Sequence, residues 1–229
     1  LRVVEGNFPS TVCGSASSFK KGTKLHFVKY KGDENTRAYI LRLAVEALER
    51  GGEAAVKAKE ICREADIAVT SLYHYFGSRD GLVIAAQVKR YTDSIQDVYG
   101  AWDQAVRSCK TKDDLRNVIT VMLDLVMKPE REHARMIRLN VLGSSYARPE
   151  LRAAIVAQQE DMFAAQAETL DWAKAQGWMR PEIDTKALTA WHVGVVTGLT
   201  LLELGPTSVD KNGWKDIYLN ALLETILAP

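Results

Sequence analysis

The stretch from Ala55 to Leu82 restricts the possible fold of this chain more than any other part. In its first half, small and apolar residues recur three or four positions apart, which is the spacing of a helix face that packs inward. Asp66 then breaks the pattern, and aspartate is one of the few non-glycine residues that tolerate a left-handed turn. Helical spacing resumes at Val69 and ends at Gly77. Two short helices joined by a tight turn predict a helix-turn-helix, whose second helix can lie in a DNA major groove.

This stretch resembles the DNA-binding signature of the TetR family of transcriptional regulators. The matching run is Ala65–Leu82, with the sequence ADIAVTSLYHYFGSRDGL. Upstream, Thr36-Arg37-x-x-Ile40-Leu41 and Gly51-Gly52 match the first helix of the family and the turn after it. The resemblance covers about residues 36–90.

Three positions depart from the usual pattern of the family. Asp66 stands where glycine is usual, Ala68 stands where serine often caps the recognition helix, and Arg79 stands where lysine is common. The first two departures weaken the turn and the helix cap a little, and neither breaks the motif.

The rest of the chain is predicted to be helical, and no strand pattern recurs, so we expect an all-α protein. The helix after the motif keeps its apolar spacing from Gly81 to about Cys109 without a Gly-, Pro- or Ser-rich linker. Further helices are predicted by caps and breakers at Thr111–Val126, from Pro129 to the break at Gly143, at Pro149–Gln176, from Asp184 to near Gly205, and at Asn212–Leu227.

The resemblance implies an N-terminal three-helix DNA-binding domain over residues 36–82 and a C-terminal helical ligand-binding and dimerisation domain over residues 83–229. Residues 1–35 form an extension that is rich in Ser, Gly and Lys. That extension is either a basic arm that reaches DNA or a weakly ordered tail, and charge runs usually mark solvated tails.

The motif predicts DNA contacts in two roles. Thr70 and Ser71 are short enough to meet base edges, whereas Tyr73 and His74 suit either bases or phosphates. Tyr73 has the alternative of packing over the first helix. A positive side chain at a helix N-terminus opposes the helix dipole, so a phosphate partner explains the basic residues there. The predicted contacts are Lys57, Thr70, Ser71, Tyr73, His74 and Arg79.

All five tryptophans lie in the C-terminal part of the chain. Aromatic residues in a helical body are usually core, but the resemblance implies that these helices surround a cavity for a small, largely apolar effector. The predicted lining is Trp102, Met122, Met136, Phe163 and Trp191. His192 lies beside Trp191 on an apolar helix, where a core histidine is more usual than a ligand contact.

The last two predicted helices are expected to form a homodimer. Gly194 and Gly198 are four residues apart and allow a partner helix to approach closely. Apolar area would come from the remaining interface residues, so that two helices from each subunit make a four-helix bundle. The predicted interface is Gly194, Gly198, Leu199, Leu202, Tyr218, Leu222 and Ile226. The alternative is that both helices are buried within one subunit.

Other classes of protein are less consistent with the sequence. The three cysteines are scattered and lack metal spacing, which indicates a reducing compartment and no disulfide framework. No run is long and apolar enough to span a bilayer, so we expect a cytoplasmic protein without a membrane partner. Glu130-x-x-His133 is an i, i+3 pair of the kind used in di-iron bundles, but its second pair is missing. We predict no cofactor, no metal and no catalytic activity.

The predicted function is therefore a DNA-binding transcriptional regulator. The resemblance implies a repressor that a small effector releases from a near-palindromic double-stranded operator. Two alternatives remain, namely a regulator that acts through protein contacts without an effector, and an all-α enzyme fused to a DNA-binding head. The basic residues exceed the acidic ones up to residue 90, and the acidic ones exceed the basic ones after it, which agrees with a DNA-binding N-terminal part.

Overall fold

The structure is a computed structural model that describes residues 34–227. The predicted extension over residues 1–35 therefore lies outside the described residues, apart from the start of the first helix. Within the described range the chain forms nine α-helices, which are α1 (Glu34–Gly51), α2 (Ala58–Glu64), α3 (Val69–Phe76), α4 (Arg79–Ser108), α5 (Lys112–Met127), α6 (Glu132–Ser145), α7 (Pro149–Ala175), α8 (Thr185–Gly198) and α9 (Lys211–Ile226).

The all-α prediction is confirmed, because the described residues form helices and contain no β-strand apart from one isolated β-bridge. That bridge pairs Met179, after α7, with Leu227, after α9. None of the described helices combines the length and the apolar character that crossing a membrane requires.

Helices α1 to α3 and the first two turns of α4 share one apolar core, and we call this unit the head. The inward stripe of α1 is continuous because apolar residues recur at helical spacing. The buried residues of the head are Ile40, Leu43, Ala44, Ala47, Leu48, Val56, Ile61, Cys62, Leu72, Tyr75, Phe76, Leu82, Val83 and Ala86. On α1, Leu43 is buried in this core, whereas Leu41 is only partly buried.

The remainder of α4 packs with α5 to α9, and we call this unit the body. Helix α4 is 30 residues long and packs mainly against α7 and α6 within the body. Its residues Tyr91 and Ile95 join one buried cluster, and Val98 and Val106 join two others. One continuous helix therefore belongs to the core of the head at one end and to the cores of the body at the other.

Several predicted helix ends coincide with side-chain caps. The Thr111 hydroxyl accepts from the Asp114 N–H at 3.1 Å, and the Asp114 carboxylate accepts in return from the Thr111 N–H at 2.9 Å, which makes a capping box at the start of α5. Asp184 caps α8 as predicted. Helix α8 nevertheless ends at Gly198, earlier than predicted, and continues as a short 3-10 turn to Leu202.

Candidate nucleic-acid interface and internal cavity

The turn of the predicted helix-turn-helix has the expected left-handed residue. Asp66 has a φ of 53°, and the N–H of Ile67 donates to the carbonyl of Cys62 at 3.0 Å, which closes the end of α2. The side chain of Ile67 is half-buried against the core of the head. Ile67 therefore anchors the turn, and the helix-turn-helix prediction is confirmed.

Helix α3 has one buried and one exposed side. Leu72, Tyr75 and Phe76 are buried in the head core. Thr70, Tyr73 and His74 are exposed, and Ser71 is half-buried. The exposed fraction of Tyr73 is 42%, which is too large for a tyrosine that packs into the head. As predicted, Ala68 stands at the N-cap of α3 without a side-chain cap.

Lys57 is the N-cap residue of α2, and its side chain is exposed. Its ammonium group lies 3.1 Å from the Glu60 carboxylate, and both side chains are more than half exposed. An exposed pair of this kind contributes at most about 1 kcal/mol. The lysine is therefore available to a stronger anionic partner such as a phosphate.

Arg79 has a role that the sequence did not predict. Its Nε donates to the Val56 carbonyl at 2.8 Å, and one terminal nitrogen donates to the Glu53 carbonyl. Another terminal nitrogen lies 3.5 Å from the Asp80 carboxylate. These contacts fasten the α1–α2 connection to the first turn of α4. Most N–H donors of the Arg79 guanidinium are therefore already hydrogen-bonded inside the head. The predicted contact of Arg79 with a phosphate stays a prediction.

The body contacts this same part of the head through Arg148, the residue just before α7. Its guanidinium lies 2.7 Å from the Glu53 carboxylate and 3.0 Å from the Asp80 carboxylate. Gln87 on α4 also donates to Glu53, at 3.4 Å. Sequence reasoning missed Arg148, because its partners are 95 and 68 residues away and no local pattern marks the contact.

A cavity of about 70 Å³ lies in the body between α4, α5, α7, α8 and α9. Two of the five predicted lining residues, Trp102 and Met122, are at its wall. The full lining is Val98, Tyr99, Trp102, Ile119, Met122, Leu123, Val126, Gln166, Leu170, Leu188, Thr189, His192, Leu222 and Ile226. The lining is mostly apolar, and the largely apolar effector stays a prediction.

The predicted lining is corrected at its other three positions, because Met136, Phe163 and Trp191 do not line this cavity. Trp191 faces outward with an exposed fraction of 44%, and its ring packs edge-on against Tyr218 at 5.3 Å between centroids. Met136 and Phe163 are half-buried in other parts of the body. The three were chosen as large apolar residues of a body that the resemblance expects to hold a cavity, and residue type does not show which side of a helix meets that cavity.

Polar atoms at the cavity wall have few partners among the described residues. Trp102 Nε1 and Gln166 Nε2 are both buried without a hydrogen-bond partner. His192 Nδ1 is hydrogen-bonded to the Tyr218 hydroxyl. Burial, together with the charge of Arg138, lowers the pKa of His192 to about 4, so its ring is neutral at pH 7. His192 is thus both a hydrogen-bonded core residue and part of the cavity wall.

Most of the predicted dimer interface lies inside one chain, which is a further correction. Leu199, Tyr218, Leu222 and Ile226 are buried, and the last two line the cavity. Gly194 is exposed, and Gly198 and Leu202 are half-buried. The outward apolar residues of this region are instead Trp191, Leu201 and Ile217. Helices α8 and α9 contain so many apolar residues that the sequence alone did not show which of them are buried in the core and which lie on the surface.

Glu130 and His133, the pair weighed as a metal motif, are exposed. Across residues 34–227 the described side chains include no group of three or more His, Cys, Asp or Glu that is arranged to hold a metal ion.

Comparison with known sequences identifies relatives of the head and of most of the chain. Residues 40–86 match the family described as "Bacterial regulatory proteins, tetR family". The HTH-type transcriptional regulator PksA of Bacillus subtilis (strain 168) is 26% identical over 176 residues, which make up 75% of this chain and 80% of PksA. The family match spans most of α1 through the beginning of α4, which is the head.

Solved structures resemble the fold over most of the chain. A structure described as a TetR-family transcriptional regulator from Rhodococcus sp. has a TM-score of 0.59 at 18% identity, and the match covers 83% of this chain and 97% of that one. A transcriptional regulator from Saccharomonospora viridis, solved in complex with choline, has a TM-score of 0.59 at 17% identity, with 86% and 100% covered. At these identities the likeness concerns the fold alone.

Proposed function

We propose that this chain, whose residues 40–86 match the TetR family and which is similar to the regulator PksA, is a transcriptional repressor released from a near-palindromic operator when a small, largely apolar effector fills the cavity. One observation carries the proposal. Helix α4 contributes Leu82, Val83 and Ala86 to the core of the head and Val98, Tyr99 and Trp102 to the wall of the cavity. An occupant of the cavity therefore touches the same element that positions the DNA-binding helix.

The exposed side of α3 supports major-groove binding by this helix. Thr70 and Tyr73 project from the head while the opposite side is buried, as a recognition helix requires. Base edges are read by short side chains such as those of Thr70 and Ser71. Lys57 and, with the donors left to it, Arg79 hold the flanking phosphates. Tyr73 meets a phosphate, because its hydroxyl reaches beyond the groove edge.

A homodimer through α8 and α9 supplies the second recognition helix. The exposed apolar residues Trp191 and Leu201, with Gly194 between them, lie on α8 and the turn after it. Ile217 lies on α9 next to Tyr218, whose ring contacts Trp191, so the two helices present one surface. Two such surfaces form the four-helix bundle predicted from the sequence, through different side chains.

Effector binding in the cavity can change DNA affinity only if the effector binds more tightly to one spacing of the two heads of the dimer than to another. A coupling free energy of about 1–3 kcal/mol corresponds to 5–150-fold release. Besides α4, the ion pairs of Arg148 with Glu53 and Asp80 connect the body to the head. The choline-bound relative supports a small-molecule role for a body of this fold.

The experiment that tests the proposal starts with the DNA. Fragments of the source genome retained by the purified protein are sequenced, and the recovered sites should share a near-palindrome with half-sites about one helical turn apart, roughly 34–36 Å. Compounds that quench the fluorescence of Trp102 are then tested for release of that site. Retained fragments without a common half-site would contradict operator recognition, and quenching compounds that leave operator affinity unchanged would contradict the coupling.

A further inference from the structure

The cavity in the body is lined by side chains without charge. Its described lining contains no Asp, Glu, Lys or Arg. The one histidine of the wall, His192, is neutral at pH 7, because burial and the charge of Arg138 lower its pKa to about 4. Arg138 itself is not part of the lining. A charged ligand would therefore lose its hydration in this cavity without meeting a counter-ion at the wall, which is strongly unfavourable.

Most polar side chains of the wall have neighbours within the chain. The Thr189 hydroxyl donates to a backbone carbonyl one turn earlier in α8, at 2.9 Å. His192 Nδ1 is hydrogen-bonded to the Tyr218 hydroxyl. The amide nitrogen of Gln166 has no hydrogen bond of good geometry, but the Tyr99 hydroxyl lies next to it and can serve as its acceptor. These groups therefore do not depend on a ligand for their hydrogen bonds.

The indole N–H of Trp102 is the donor that the wall leaves open. Trp102 lies on α4 and lines the cavity, and its Nε1 is buried without an acceptor among residues 34–227. A buried donor of this kind has lost its hydrogen bond to water and gained none in return. A ligand with an acceptor oxygen removes that penalty. A hydrocarbon does not, and neither does a ligand whose polar groups are all donors.

We infer that the effector of this cavity is an uncharged organic molecule with an acceptor oxygen, such as a ketone or an ester, which accepts a hydrogen bond from Trp102 Nε1–H. This inference rests on the proposed effector role of the cavity. The carbon skeleton of the ligand packs against the apolar wall, which includes Val98, Met122 and Leu170. A volume of about 70 Å³ favours a short chain or a single ring over a long lipid.

The first test measures ligand binding to the full DNA-free chain by equilibrium dialysis. The probes are methyl ketones from butanone to 2-octanone and the ring ketone cyclohexanone, with the carboxylate and the primary amine of similar size. The best ketone should bind at least about tenfold more tightly than the matching carboxylate and amine, because neither charge finds a counter-ion in the described lining. Equal or tighter binding of either charged probe, or no binding by any ketone, overturns the inference.

Trp102→Phe identifies the donor, since it keeps an aromatic ring and removes the N–H. Each ketone is compared with the alkene of the same shape, in which a CH2 group replaces the carbonyl oxygen. The ratio of ketone affinity to alkene affinity should fall at least about fivefold in this variant, because the hydrogen bond to the carbonyl oxygen is lost. Alkene affinity alone reports the effect of the smaller ring.

Trp178→Phe is the matched control, because Trp178 is a partly buried tryptophan of the body that does not line the cavity. It should leave the ratio of ketone to alkene affinity as in the wild type. A ratio that survives Trp102→Phe, or that falls equally in Trp178→Phe, overturns the assignment of the donor.

A spectroscopic measurement on the wild-type chain decides if Trp102→Phe does not fold. The indole N–H signals of the five tryptophans are recorded by nitrogen–proton NMR and assigned with single Phe variants of the other four. The Trp102 proton should move downfield when the ketone binds and should move less with the alkene, because a hydrogen bond deshields the proton. Equal shifts with both ligands overturn the assignment.

A DNA-binding arm separates this inference from the proposed function. Ketones that bind in a Trp102-dependent manner without changing operator affinity support the ligand class and contradict effector-driven release. Release of the operator by the carboxylates or the amines rather than the ketones supports the proposed function and overturns the ligand class.

Discussion

At the scale of single residues, Gly81 is required where α4 begins beside the end of α3. A β-carbon built at this position would lie 2.0 Å from the Phe76 carbonyl oxygen, which is backbone and cannot turn aside. We expect Gly81→Ala to lower the free energy of unfolding by about 1–3 kcal/mol, the usual cost of overpacking. Chemical denaturation of the purified variants measures the change.

Gly100, in the same helix, is the control for this prediction. Nothing lies within 4 Å of a β-carbon placed there. Because glycine in a helix interior is roughly 0.5–1 kcal/mol less favourable than alanine, Gly100→Ala should be neutral or stabilising. Equal effects of the two substitutions would contradict the close approach at Gly81.

His192 predicts how stability depends on pH. Its pKa is about 4 in the folded chain, against an ordinary value of 6.5, because burial and Arg138 disfavour the charged ring. Above pH 6.5 the ring is neutral in both states. As the pH falls from 6.5 towards 4 only the unfolded chain takes up the proton, so stability is lost at up to about 1.4 kcal/mol per pH unit from this residue.

The measurement is the free energy of unfolding at several pH values between 7 and 4.5, for the wild type and for His192→Asn. The variant should lose less stability over this range than the wild type, and the difference should level off above pH 6.5. Parallel curves for the two proteins would show that His192 does not titrate in this way.

At the scale of secondary-structure elements, α2 and α3 should bind DNA through two kinds of contact that mutation separates. Thr70→Ala should cost about 1–3 kcal/mol for the operator and relax sequence preference, because it removes a base contact. Lys57→Ala should weaken operator and random duplex alike and reduce the salt slope by about one unit, because it removes a phosphate contact.

The two roles are distinguished by measuring the affinity of each variant for operator and random duplex at several salt concentrations. Lys59→Ala removes an exposed cation from the same helix as a comparison for general charge loss. An unchanged salt slope for Lys57→Ala, together with an equal loss on random DNA for Thr70→Ala, would reverse the assignment.

The contact of α7 with the head gives a second prediction at this scale. Arg148→Gln removes the ion pairs with Glu53 and Asp80, both partly exposed and therefore together contributing on the order of 1 kcal/mol. Amide hydrogen exchange at residues 52–57 should become roughly fivefold faster, since that segment loses its attachment to the body.

Arg152→Gln is the matched control one turn further along α7. Its guanidinium contacts Tyr146 rather than the head, so exchange at residues 52–57 should stay as in the wild type. Equal amide protection of residues 52–57 in Arg148→Gln and Arg152→Gln would show that α4 alone links the head to the body.

The elements also show which features a sequence can predict. Local signals sufficed for the turn at Asp66, for the capping box at Thr111 and for the extent of α4, because each depends on residues within a few positions of one another. The cavity depends on how five helices pack together, so a choice by residue type included Trp102, which lines the cavity, but also Trp191, which faces outward.

At the scale of the whole molecule, the apolar surface of α8 and α9 predicts the oligomeric state. Ile217 on α9 has an exposed fraction of 74%, and Trp191 on α8 and Leu201 in the turn after α8 are also exposed. Exposed apolar residues grouped on two adjacent helices mark a protein interface more often than a solvated surface. We therefore expect a homodimer at micromolar concentration, with Ile217 near the centre of the contact.

Ile217→Asp should weaken self-association by at least tenfold, because it buries a charge in an apolar interface without a partner. The core of the subunit should be unaffected, since the side chain of Ile217 faces outward while the adjacent Tyr218 faces inward. Val156→Asp is the matched control, an equally drastic change at an exposed apolar residue of α7. Sedimentation measures the mass of each variant, and operator binding of Ile217→Asp should fall together with dimerisation because one subunit contacts only one half-site. A monomeric wild type, or the same loss of self-association in Val156→Asp, would place the interface elsewhere.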